Sequence, residues 1–150
     1  MSEPKAGRKY VVGFAFNSAL DNIVLLRKLR PKWQSGLLNG VGGQVEKWDP
    51  CVEEAMAREF QEEAALVTKP SDWRVFAILE DSRGWTVHFL MACTYLGGVR
   101  TMTDEDVCVV RADELPKNVI PNLRWLIPMA LSMASEPRVA YFSIDEVPPS

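Results

Sequence analysis

The chain has 150 residues, enough for one domain with a full core, and its hydrophobic and charged fractions, 47% and 25%, are those of a soluble globular protein. Its 17 basic and 20 acidic residues leave a net charge of -3, which gives no global pull toward a nucleic-acid polymer. Three cysteines without CxxC spacing (Cys51, Cys93 and Cys108) exclude a disulfide framework and read as reduced thiols of a cytoplasmic protein, and no run of residues is apolar for long enough to be a secretory signal or to span a bilayer.

Arg8 to Phe16, RKYVVGFAF, is rich in β-branched and aromatic residues and predicts a strand. Asn17 to Asn22 is a polar turn, and Ile23 to Leu29 returns as a second strand. Lys32 to Gly43, KWQSGLLNGVGG, holds four glycines, so its backbone takes unusual dihedrals or is approached closely. Asp49-Pro50 predicts a helix start, with aspartate as N-cap and proline at the first helical position, and the helix runs to about Leu66. Asp72 to Asp81 and Trp85 to Leu96 are two further strands around the turn Ser82-Arg83-Gly84. Val107 to Val110 is a short fifth strand, and Cys93 and Cys108, both in apolar runs, read as core. Asn122 to Ala134 is a second, apolar helix, and Arg138 to Ser143 an edge strand. No repeat, linker or low-complexity tract interrupts this order. Residues 1–150 therefore read as one α+β domain, a central sheet with a helix on either side.

The stretch that carries chemistry is Gly42 to Leu66, GGQVEKWDPCVEEAMAREFQEEAAL. On a helix, Glu59, Glu62 and Glu63 fall within an arc of roughly 100°, while Val52, Ala55, Met56 and Phe60 occupy much of the opposite side. Like charges at i, i+3 and i+4 repel by about 0.2–0.5 kcal/mol per pair, and Arg58 offsets part of this by pairing with Glu54 and Glu62. A hard divalent cation turns the repulsion into binding, since magnesium takes oxygen ligands and keeps several waters. Charge pattern alone favours a solvated acidic face; the glycine loop just upstream tips the balance to a metal site.

This stretch resembles the Nudix box, G-x5-E-x7-R-E-U-x-E-E-x-G-U with U aliphatic. Gly43, Arg58, Glu59, Phe60, Glu62, Glu63 and Leu66 fall on the pattern, which covers about a sixth of the chain. Asp49 stands where the family has its first glutamate, eight residues rather than seven before Arg58, and Ala65 replaces the final glycine. An N-cap is therefore the role expected of Asp49. The resemblance implies an α/β/α sandwich around a central mixed β-sheet and a Mg2+ (or Mn2+) cofactor. Glu59, Glu62 and Glu63 would bind the metal, Arg58 would orient Glu59, and the Gly42-Gly43 backbone would lie close to metal or phosphate. It implies attack of water on phosphorus with a carboxylate as general base. Glu59 leads for that role. Family members also recruit a glutamate from a later loop, for which Glu105 in Asp104-Glu105-Asp106 is the best candidate and Glu80-Asp81 the second; a solvated acidic loop is the alternative.

Within the family, Leu38-Asn39-Gly40-Val41-Gly42-Gly43 resembles the MutT-like enzymes that sanitise oxidised purine nucleoside triphosphates. In the human member of that group an asparagine at the position of Asn39 contacts the base. Asn39 is thus a base-contact candidate, set against the ordinary use of Asn-Gly in a tight turn. Asn122 is a second, because an amide pairs bidentately with a purine edge; capping the second helix is its other possible role. Trp33, Trp48 and Trp125 are candidates to stack on a base or to pack in the core. The expected reaction is hydrolysis of a nucleoside triphosphate to monophosphate and pyrophosphate. The partner is a small-molecule nucleotide, with no nucleic-acid polymer and no membrane, and the enzyme is a monomer or homodimer. An ADP-ribose or nucleotide-sugar pyrophosphatase and a non-catalytic nucleotide-sensing module are the alternatives.

Overall fold

The structure is a computed structural model that describes residues 5–145. Eight strands and two helices follow in the order β1 (Lys9–Phe16), β2 (Asn22–Arg27), β3 (Leu38–Asn39), β4 (Val41–Gln44), α1 (Val52–Ala64), β5 (Arg74–Asp81), β6 (Thr86–Cys93), β7 (Val107–Arg111), α2 (Leu123–Ser132) and β8 (Ala140–Ile144). The sheet runs β3-β2-β1-β6-β5-β8, with β4 added to β1 and β7 to β2. β1 pairs parallel with β6 and antiparallel with β4, and β5 pairs antiparallel with β6 and parallel with β8, so the sheet is mixed.

Side chains alternate across a strand, and β1 shows what this does to the fold. Val12, Phe14 and Phe16 face one core with Leu123, Leu126 and Ile127 of α2. Val11 and Ala15 face a second core with Ala55, Met56 and Phe60 of α1. The expected sandwich, a helix on each face of a central mixed sheet, is the observed one. Pro128 gives α2 one fewer backbone bond, and the burial of Leu123, Leu126, Ile127 and Ala130 holds the helix nonetheless. Among the described residues no helix is long and apolar enough to cross a membrane.

Three local expectations are corrected. Asp49 is not the N-cap of α1: the helix begins at Val52 with Cys51 as its cap, so Pro50 lies outside the first turn. Strands β3 and β4 run through the stretch expected as a glycine loop, because pairing with β2 and β1 supplies ladder hydrogen bonds, while the expected unusual dihedral and close approach are found at Gly36, with φ of 83°, and at Gly42 and Gly43. Cys93 is exposed rather than core, at the end of β6. Ala65 keeps the left-handed exit expected of a glycine, with φ of 64° and its N–H donating to the Gln61 carbonyl, a strained conformation for a residue with a Cβ, costing about 1–2 kcal/mol.

Candidate active site

α1 is amphipathic, and burial of Met56 and Phe60 against the sheet turns its carboxylates toward β4. Glu59 is only 9% exposed and packs on Gly43, where a Cβ would collide with both of its carboxylate oxygens. Gly42 is equally constrained, since a side chain there would run into the Val11 carbonyl across the β1–β4 ladder. The two glycines thus let strand, sheet and acidic helix approach at backbone distance.

Burial pushes Glu59 up to about 7, with the charge of Glu62 adding to it and Arg58 opposing. Burial also pushes Glu63 up to about 7, with the charges of Glu59 and Glu105 adding and Lys28 opposing. Oε2 of Glu63 is buried without a hydrogen-bond partner. A buried carboxylate repelled by a half-buried neighbour with an orphaned oxygen is what a cation site looks like before the cation is counted. Glu62 is different. It is exposed and turned toward Arg58 at 3.4 Å, and among the described residues no three His, Cys, Asp or Glu side chains stand close enough to hold one ion. The fold therefore brings Glu59 and Glu63 together and leaves Glu62 at the rim. Magnesium needs only one or two protein carboxylates alongside water and phosphate oxygens, and the residues present fit it.

Arg58 anchors this corner. Its Nε and Nη2 donate to the two carboxylate oxygens of Asp49 at 3.1 and 2.8 Å, Nη2 also reaches the Gln44 carbonyl, and Nη1 donates to Glu59 at 3.0 Å. Asp49 further accepts from the Glu46 N–H. The hydrogen bond from Arg58 holds the Asp49 carboxyl below its ordinary range. Asp49 is thus a partner of Arg58, a role its spacing from the helix had obscured.

Glu105 lies in the loop before β7 and is buried. Lys28, also buried, donates from Nζ to Oε1 at 2.9 Å, and the backbone N–H groups of Leu29 and Arg30 donate to Oε2. Burial alone would raise its pKa, but these partners hold it below the ordinary carboxylate value. Its charge adds to the upward push on the Glu63 pKa. Asp104 pairs with Arg30 on the surface, and Asp81 lies elsewhere, in the cavity described next.

Elsewhere on the sheet, lined by residues of β1, β5, β6 and β8 and by Asn122 just before α2, is a cavity of about 450 Å³. Asn39, Asn122 and Trp33 line it, and so does Gln34, which the sequence did not single out. Asn122 makes no cap hydrogen bond to α2, and its Oδ1 is buried without a partner. The carboxylate of Asp81 is taken up by Arg83. Trp33 is 57% exposed at the cavity wall, whereas Trp48, 70% exposed, is in neither core, and Trp125 packs edge-on against Phe142. Asn39 and Gly43 are joined by β3 and β4, so one short segment touches both the cavity and the acidic helix.

An acidic helix docked on a glycine strand, within this branched mixed sheet, defines a class of hydrolases. The model of the NUDIX domain matches residues 7–129, and the chain belongs to the Nudix family. It is a Nudix hydrolase, of a family that hydrolyses nucleoside diphosphate derivatives and generally uses divalent metal ions. Solved structures share the fold. A mutator MutT protein from Bacillus halodurans aligns with a TM-score of 0.70 at 18% identity, over 94% of this chain and 91% of that one. A MutT Nudix hydrolase from Burkholderia pseudomallei aligns with a TM-score of 0.68 at 19% identity, over 81% and 96%. The Nudix domain of Shewanella oneidensis NrtR, solved with ADP ribose, aligns with a TM-score of 0.70 at 17% identity, over 89% and 90%. No curated protein sequence matches the chain.

Proposed function

We propose that this Nudix hydrolase converts a nucleoside triphosphate, an oxidised purine among the candidates, to the monophosphate and pyrophosphate with Mg2+ or Mn2+. The observation that carries the reading is Glu59, buried against Gly43, with the half-buried Glu63 one turn on whose Oε2 lacks a partner among the described residues.

Glu59 and Glu63 would hold the metal from α1, with Glu62 turning in from the rim and the Gly42-Gly43 backbone alongside the phosphates. The bound metal would neutralise charge on the phosphoryl oxygens and lower the pKa of water. Arg58, gripped by Asp49 and the Gln44 carbonyl, fixes the Glu59 carboxylate. A carboxylate of raised proton affinity accepts a proton from water near neutral pH, which favours Glu59 as general base over Glu105, whose partners lower its proton affinity. Asn39 and Asn122 would form part of the base site in the cavity they line. The free thiols Cys51, Cys93 and Cys108 support a cytoplasmic setting, and residues 1–150 are read as one domain.

The test is product analysis with magnesium and a panel of oxidised and ordinary purine triphosphates, ADP-ribose and a nucleotide sugar. Triphosphate turnover that drops at least 100-fold in folded Glu63→Gln and Glu59→Gln proteins supports the reading. Turnover of ADP-ribose or the nucleotide sugar alone, or tight nucleotide binding without product, overturns it.

A further inference from the structure

The side chain of Asn39 is oriented by its own neighbour. The Gly40 N–H donates to Asn39 Oδ1 at 2.8 Å, and because a backbone N–H can only donate, the amide oxygen is fixed on that side. Asn39 Nδ2 must then face the other way, and it donates to Gln34 Oε1 at 3.1 Å. That contact fixes Gln34 in turn, since its oxygen is committed to Asn39 and its NH2 group is left facing away. Gln34 is 4% exposed, lines the cavity, and its Nε2 has no partner among the described residues. One backbone N–H has set the polarity of two successive amides.

We propose that Gln34 is the base-selecting residue of this enzyme, presenting a hydrogen-bond donor that prefers a keto purine, and that Asn39 is the positioning residue that prevents the Gln34 amide from turning over. This rests on the reading of the cavity as the base site. Keto purines such as hypoxanthine and guanine carry an acceptor at O6 beside an N1–H donor; adenine carries an amino donor at position 6 beside an N1 acceptor. A fixed N–H therefore satisfies the first group and faces a second donor in the other. The Asp81 carboxylate, which also lines the cavity, is engaged by Arg83, with two hydrogen bonds to Oδ1 and one to Oδ2. On the same wall Asn122 holds a buried Oδ1 without a donor, a ready acceptor for N1–H. Among the described residues no hydrogen bond fixes the Asn122 amide, so it adapts to the base while Gln34 discriminates.

ITP and ATP differ only at position 6 and the adjoining N1 proton, so the ratio of their kcat/KM values isolates this contact. The intact protein is expected to favour ITP by roughly ten- to hundredfold. Asn39→Asp removes the N–H that Gln34 accepts while keeping an acceptor for Gly40, so the Gln34 amide turns to donate to the new carboxylate and shows its oxygen to the cavity. The ITP preference is then lost or reversed. Gln34→Glu, which replaces the donor by an acceptor and still accepts from Asn39, moves the ratio in the same direction. Should Asn39→Asp fail to fold, Gln34→Glu decides, supported by relative binding of IMP and AMP. Equal fractional losses on ITP and ATP in the folded variants, with the ratio unmoved, would overturn the assignment while leaving the hydrolase reading intact. Absence of turnover of ITP, ATP and the oxidised purine triphosphates alike by the intact protein would remove the reading beneath it and the assignment with it.

Discussion

Asp49 grips Arg58 through both carboxylate oxygens, at 3.1 Å to Nε and 2.8 Å to Nη2, although the box is one residue longer than usual between them. The extra residue is absorbed before α1 starts at Val52. The shorter aspartate closes on the guanidinium from the turn, and its side chain is only 5% exposed. Asp49→Ala is therefore expected to cost about 2 kcal/mol, the loss of a charge-assisted pair. It should also lower kcat more than it raises KM, because Glu59 loses its guide. A variant with unchanged melting temperature and kcat would show that Arg58 is held well enough by Gln44 and Glu59.

The metal-free protein should lose stability as pH rises from about 4.5 to 7. Glu59 and Glu63 titrate near 7 in the fold, raised from 4.5, so the fold favours their protonated forms. That stability is fully present below 4.5 and lost as pH climbs through 7. The loss is on the order of a few kcal/mol for the coupled pair. His88, whose pKa burial lowers from 6.5, contributes the opposite slope below 6.5. Glu59→Gln and Glu63→Gln should consequently flatten the carboxylate part of the profile, and magnesium should raise the melting temperature more at pH 8 than at pH 5.5. A metal-induced shift equal at both values would contradict the assignment.

Gly43→Ala places a methyl group against the Glu59 carboxylate, whereas Gly98→Ala meets only Leu66 Cδ1 at an ordinary 3.7 Å. The first substitution is expected to destabilise by about 1–3 kcal/mol and to reduce turnover by roughly tenfold or more, since a displacement of about 1 Å at a reacting group is costly. The second serves as its control and should behave as the parent in both thermal melting and turnover.

Lys28 and Glu105 form a buried pair, with side chains 3% and 4% exposed. Lys28→Met strands the Glu105 charge beside Glu63 and should cost about 3 kcal/mol or more. Adding Glu105→Gln removes the stranded charge and should recover a good part of the loss. Denaturant unfolding of the two single variants and the double variant measures the coupling; strict additivity would mean that the pair contributes nothing as a pair.

How much of this was legible beforehand follows from the range of each interaction. Helical periodicity alone put Glu59, Glu62 and Glu63 on one face of α1, and the β-branched and aromatic composition of Arg8 to Phe16 predicted the strand β1, while its two cores became visible only in the fold. Period and composition are local properties, and one segment suffices to show them. Lys28 and Glu105, 77 residues apart, meet only once β2 has paired with β7. Strands β3 and β4 exist because β2 and β1 offer them ladders, against a composition that spelled loop. Nothing in the spacing of Gln34 and Asn39 reveals that one amide sets the direction of the other, since the hydrogen bond depends on how the chain folds between them. Residue types and periods thus established what chemistry was available, while the pairing of distant segments decided which groups are held, which are left without partners, and which face the cavity.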